Sequence, residues 1–223
     1  MANAANKPKT RNKNKNRDVT KPRHGGKKRQ LLTRRLAYTT DLVNKKRYED
    51  ALVVLDDLLK EKDTKVNNRW KYKILLQLAR LFTQQGQHAK AARAYASAGR
   101  KIDQSKRPRF WLRAAVGQCL AHIKRGNLKR ANIVSKEVVR FVKDIKKVDD
   151  QWQKEAKKKI RRGEVVNVNE RPYRPSVALC KLANALMDNG LISEAKPIYK
   201  LAIDMTEYGA SRARTALARI YLS

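Results

Sequence analysis

From Leu31 onward, apolar residues recur at intervals of three and four, the period of a helix with one buried stripe. Leu31, Leu32, Leu36, Tyr38 and Leu42 predict a helix over 30–43. A polar turn, 44–47, separates it from a second helix over 48–60, with Tyr48, Ala51, Leu52, Leu55, Leu58 and Leu59 on one face. The two-helix unit then returns. Leu75, Leu78, Ala79 and Phe82 mark a helix over 70–84, Gly86 a turn, and His88, Ala91, Tyr95 and Ala98 its partner. A third pair carries Trp111, Ala115, Cys119, Leu120 and Ile123 over 108–124, then Leu128, Ala131, Val134, Val138, Val142 and Ile145 after Gly126. Pro108 suits a first helical position, where its missing N–H costs nothing. A fourth pair follows Pro175: Val177, Leu179, Leu182, Ala183 and Leu186, then Gly190, then Ile192, Ala195, Tyr199 and Ala202. A last segment over 208–222 fits a helix that closes the end of a stack.

The turn positions Lys46, Gly86 and Gly126 stand 40 residues apart, whereas Gly126 to Gly190 is 64. An insertion therefore sits between the third and fourth pairs. It predicts a separate helix over 149–162, opened by Asp149 and Asp150 at the end that favours acids and lined by Trp152, Ala156 and Ile160, followed by an irregular loop with Arg171, Tyr173 and Arg174 exposed. Pro197 falls inside a helical pattern and should kink that helix or delay its start. The expected organisation is a disordered basic arm over 1–29, three helical hairpins over 30–147, a basic insertion helix and loop over 148–175, and a fourth hairpin with a capping helix over 176–223.

Leu78, Ala79, Phe82, Gly86, His88, Ala91, Tyr95 and Ala98, matched by Leu182, Ala183, Leu186, Gly190, Ile192, Ala195, Tyr199 and Ala202, resemble the tetratricopeptide-repeat pattern. The first unit replaces the turn glycine with Lys46, and the third has Ser135 where an aromatic is usual. The resemblance covers 31–222 apart from the insertion. It implies an all-α, right-handed helical-hairpin solenoid of about four repeats plus a capping helix. It says little about function beyond binding to other macromolecules. The clamp that some members use for acidic C-terminal peptides is missing as a set. Its positions hold Leu36, Thr40, Gln77, Arg113 and Gly117, of which only Arg113 is basic.

Charge changes the picture most. Lys and Arg number 54 against 20 Asp and Glu, a formal net charge of +34. Residues 1–35 carry +12 of this and the remainder +22, so the folded part is strongly basic by itself. Such a surface repels itself unless anions screen it, and nucleic acid is the commonest polyanion. The expected contacts begin with Lys27, Lys28, Arg29, Arg34 and Arg35 beside the arm. Arg107, Arg109 and Arg113 crowd a helix start, the unfavourable end of the dipole. Lys129, Lys136, Arg140, Lys143 and Lys147 form a ridge repeating at seven, four, three and four residues. Lys154, Lys157, Lys158, Arg161 and Arg162 lie on the insertion helix, and Arg171 and Arg174 in its loop.

No base-reading motif accompanies them, so recognition should follow backbone shape. RNA is favoured over DNA because folded RNA rewards a rigid scaffold with a flexible arm. The expected role is a structural component or assembly factor of a ribosome-like ribonucleoprotein particle, inside the cell and ribosome-associated rather than secreted, with neighbouring particle proteins as further contacts. The alternatives are an adaptor for an acidic protein and a DNA-associated packaging protein. His24, His88 and His122 are scattered, and Cys119 and Cys180 form no CxxC pair and fit buried thiols. No metal motif, phosphate loop or nucleophile–base pair is visible, so the expectation is a non-enzyme with no cofactor, metal or small-molecule substrate. No apolar run reaches the length of a membrane span.

Overall fold

The computed structural model describes residues 24–62, 67–167, 172–173 and 175–205, together with 214, 215 and 218. The described residues form eight helices and no strand: α1 (His24–Asn44), α2 (Tyr48–Lys60), α3 (Asn68–Gln84), α4 (His88–Gly99), α5 (Pro108–Lys124), α6 (Leu128–Arg161), α7 (Ser176–Met187) and α8 (Ile192–Asp204). Successive helices pair as hairpins, α1 with α2, α3 with α4, α5 with α6 and α7 with α8. The second helix of a hairpin also packs on the first of the next in α2–α3 and α4–α5. First helices meet in α1–α3 and α5–α7, and α8 lies against α6. The chain is thus an all-α stack of helical hairpins.

The hairpin turns show why the 40-residue spacing was audible in the sequence. Each helix end closes with the same pair of backbone bonds that satisfy its last carbonyls. In the first turn the Arg47 N–H donates to the Leu42 carbonyl (2.9 Å) and the Lys46 N–H to Val43 (3.1 Å). Gln87 to Phe82 (2.8 Å), Asn127 to His122 (2.9 Å) and Leu191 to Leu186 (2.9 Å) repeat it. The motif needs a left-handed residue, supplied by Gly86 (φ 72°), Gly126 (φ 77°) and Gly190 (φ 77°); Lys46 adopts the same conformation at φ 60°. A side chain there is strained, so Lys46→Gly is expected to be neutral or to stabilise by up to about 1 kcal/mol, while Gly86→Ala should cost about 1 kcal/mol. Opposite shifts in the urea midpoint of the two variants would check this.

Several boundaries differ from expectation. Helix α1 begins at His24, so the last six residues of the expected arm are helical; residues 1–23 lie outside the described part, as does most of the expected closing helix. Leu31 and Tyr38, placed on the buried stripe from sequence, are exposed. They lie seven residues apart on one face of α1, which packs against α2 and α3. Val177 and Ile160 are exposed as well.

The separate insertion helix does not exist: α6 runs unbroken through 34 residues. Its stripe continues in steps of three and four from Val142 through Ile145, Asp149, Trp152 and Ala156, with no breaker before Gly163. Asp149 therefore sits mid-helix in an apolar register, 2% exposed, where it accepts a hydrogen bond from Gln153 Nε2 at 2.8 Å. Pro197 lies inside α8, which nevertheless starts at Ile192 without delay.

The core divides along the stack. Leu32, Leu36, Leu42, Ala51, Leu55, Leu58, Trp70, Ile74 and Leu78 fill the first part, and α5 to α8 share the largest cluster. Helix α3 buries Trp70, Tyr72, Ile74, Leu76, Leu78, Ala79 and Leu81. That all-round burial marks an internal helix. Tyr72 links first helices of neighbouring hairpins: its hydroxyl donates to the Phe110 carbonyl at 3.0 Å, and its ring meets Phe110 edge-on at 5.4 Å. Tyr199 is fully buried, its hydroxyl donating to Asn184 Oδ1 at 2.5 Å. Cys119 and Cys180 are both free thiols; burial pushes Cys119 up to about 12, and its thiol donates to the Ala131 carbonyl.

Candidate functional site

Stacking brings the starts of α3 and α5 to the same end of the molecule, together with the connections that precede them. There a shallow, open cleft of about 480 Å³ is lined by Asn67, Asn68, Arg69, Lys101, Ile102, Asp103, Lys106 and Arg107. Four of those residues are cations. Asp103 is committed locally: it accepts from the Ser105 hydroxyl (2.7 Å) and amide (3.0 Å), with Lys106 Nζ at 3.8 Å, and the Ser105 hydrogen bond is the main reason its pKa is lowered. Among the described residues Arg69, Lys101, Arg107, Arg109 and Arg113 have no ion-pair partner.

The two helix starts add to this field. Neither α3 nor α5 has an acid in its first turn. Asn67 caps α3, accepting from the Arg69 (3.0 Å) and Trp70 (3.4 Å) amides. Arg107 occupies the cap position of α5 without a side-chain cap bond, and Pro108 follows it. Cations at the positive end of a helix dipole destabilise it by a few tenths of a kcal/mol each unless an anion is present. Arg109 and Arg113 extend the cluster toward residues 172–173. Their charges oppose the burial that raises the Tyr173 pKa, and Arg113 does the same beside Tyr72, which burial pushes up to about 12. Tyr173, expected to be exposed, is instead half-buried against the core shared by α5 to α8.

Of the cations singled out from sequence, the structure gathers Arg107, Arg109 and Arg113 here. Arg69, Lys101 and Lys106 had not been recognised. Arg69 stands one 40-residue period before Arg109, a signal the sequence did hold, and Arg29 stands one period earlier still. Lys101 and Lys106 carry no such signal, because only the α4–α5 connection brings them beside Arg69.

The other predicted residues are dispersed. Arg34 is exposed, whereas Arg35 pairs with Glu61 across α1 and α2 and so serves the fold. Lys27, Lys28 and Arg29 lie on the α1 backbone, their side chains outside the described residues, as are Arg171 and Arg174. Lys129, Lys136, Arg140, Lys143 and Lys147 are all exposed along α6, with Lys147 paired to Asp144 at 3.3 Å. Lys154, Lys157, Lys158 and Arg161 are exposed too, but on the same helix as the ridge, and exposed Arg162 caps its end. Lys158 and Arg161 lie in the last turn, where cations complement the dipole without any ligand.

The five positions tested for a peptide clamp are partly structural. Leu36 is buried, Gln77 Nε2 donates to Thr40 Oγ1 at 2.9 Å between α1 and α3, and Gly117 lies under the Tyr95 ring. His88 and His122 are half-buried; burial, with Arg125 and Arg130 nearby, lowers the His122 pKa. Among the described residues no cluster of three or more His, Cys, Asp or Glu could hold a metal ion, and no described helix is long and apolar enough to cross a membrane. No family model matches the chain, and no curated protein matches it significantly.

Proposed function

We propose that this protein is a structural RNA-binding scaffold, a component or assembly factor of a ribosome-like ribonucleoprotein particle, built on a right-handed tetratricopeptide-like stack. The observation that carries this reading is the cationic cleft at the starts of α3 and α5. There Arg69, Lys101, Lys106 and Arg107 converge on helix ends that already favour anions, with one locally engaged carboxylate among them. Backbone phosphates satisfy both the side-chain charges and the helix ends. Arg109 and Arg113 follow Arg107 on α5 and are exposed, as are the cations at the far end of α6. RNA rather than DNA is proposed because a rigid, stepped cationic surface suits folded RNA, which is recognised largely by shape.

Ultraviolet crosslinking of the native complex in cell extract, followed by mass spectrometry and sequencing of the bound nucleic acid, tests the reading. Crosslinked peptides should include residues 67–69 and 101–113, carrying RNA. Recovery of the native protein with an acidic protein partner that survives nuclease and high salt, with no crosslinked nucleic acid, would refute it.

A further inference from the structure

A second cleft, of about 420 Å³, lies between α6 and α8, the second helices of adjacent hairpins. Its composition differs from that of the first. Lys136, Arg140 and Lys143 form one wall, and half-buried Val139 and exposed Pro197 give it an apolar floor. Glu194 on the opposite wall is already engaged, its Oε1 accepting from Asn132 Nδ2 at 2.8 Å and its Oε2 from the Ser193 hydroxyl at 2.6 Å.

We infer that this groove docks an acidic amphipathic helix from another protein, with one large apolar side chain seated on Val139 and Pro197. The three cations follow one another at four and three residues, the period at which a helix repeats a face. A partner helix laid alongside α6 with carboxylates at the same intervals meets them one for one, and its apolar side chain between the acids enters the cleft. Seating a helix in the groove between two helices is a recurring mode of peptide recognition. A sugar–phosphate backbone would gain from the cations but has nothing to place on the apolar floor. The observations therefore favour a protein partner here, and this holds whether or not the cleft at α3 and α5 binds RNA.

The test uses the full chain and a labelled synthetic 18-residue helix, followed by fluorescence anisotropy at 0.15 M salt. The helix carries Glu at i, i+4 and i+7 and a Leu between them on the same face. Replacing that Leu by Ser in the peptide should weaken binding about 10-fold to 100-fold, as expected for burying one large apolar side chain. Lys136→Gln with Arg140→Gln and Lys143→Gln, all exposed positions, should weaken the Leu peptide by at least about 10-fold, from two or three charge-assisted contacts. Val139→Ser should weaken the Leu peptide but not the Ser peptide. The combined Arg69→Gln, Lys101→Gln, Lys106→Gln and Arg107→Gln variant should leave the Leu peptide within about twofold, which separates this groove from the RNA surface. Equal binding of the Leu and Ser peptides, or no effect of the three glutamines, overturns the proposal. So does an RNA oligomer that displaces the peptide and itself loses affinity in Val139→Ser, which would assign the groove to nucleic acid.

Discussion

Replacing Arg69, Lys101, Lys106 and Arg107 together by glutamine is expected to weaken RNA binding about 200-fold at 0.15 M salt while leaving the melting temperature nearly unchanged. Each phosphate neutralised on a single strand contributes a slope of about 0.7 in log affinity against log salt, so each contact is worth about fourfold at 0.15 M relative to 1 M. Four contacts multiply to about 200-fold, and the slope itself should fall by about 2.8. The four residues line one cleft and are exposed or half-exposed. Removing cations from two helix starts should, if anything, stabilise those helices slightly. A salt titration of the wild type and the variant, paired with thermal melting, reads both quantities. An unchanged slope would show that these cations do not meet phosphates, even if the protein binds RNA elsewhere. Glutamine at Arg93 and Lys181, both exposed, outside the cleft and not among the expected contacts, serves as the control for a general loss of charge.

What the sequence revealed and what it concealed follow from the range of each interaction. The hairpin turns are local: a left-handed residue and two backbone bonds fix each one, so Gly86, Gly126 and Gly190 announced themselves, and even Lys46 kept their register. Apolar periodicity likewise found seven of the eight described helices as separate units. The error over α6 came from giving Asp149 and Asp150 weight as a helix start. The apolar register ran straight through Asp149, and a buried carboxylate in that register was the less familiar reading. Pro197 was expected to kink its helix or delay its start, and α8 starts at Ile192 without delay.

Clefts are another matter. Arg69 and Lys101 share one only because the stack aligns the connections before α3 and α5, and the cleft beside Lys136, Arg140 and Lys143 exists because α8 lies against α6. The ridge could be read from the sequence as a basic face, but its apolar floor, half contributed by Pro197 from another hairpin, could not.

Gly117 tests the packing that holds these surfaces in place. Gly117→Ala is expected to destabilise the fold by about 1–3 kcal/mol, although alanine is the better helix former by about 1 kcal/mol. A Cβ built at Gly117 would lie 2.5 Å from Tyr95 Cε1, 2.7 Å from Cζ and 2.8 Å from Cδ1, so the whole ring edge stands where the methyl must go. The ring cannot simply swing away. Tyr95 packs against three of the four core clusters, joining α3, α4 and α5, and burial raises its pKa.

The close approach also accounts for the absence of a clamp arginine at this position, since any longer side chain would have to expel Tyr95 from between the hairpins. A double-mutant cycle isolates the effect. Tyr95→Ala alone should cost about 2–4 kcal/mol from the cavity it leaves. In that background Gly117→Ala should turn stabilising, by about 1 kcal/mol, because only helix propensity remains. The coupling between the two positions is then about 2–4 kcal/mol, at or just above the upper end of the range for residues in contact. Urea denaturation of the four proteins measures it. If Gly117→Ala stabilises the wild type, the ring and the α5 backbone are not in the contact described, and the junction between the second and third hairpins must be packed differently.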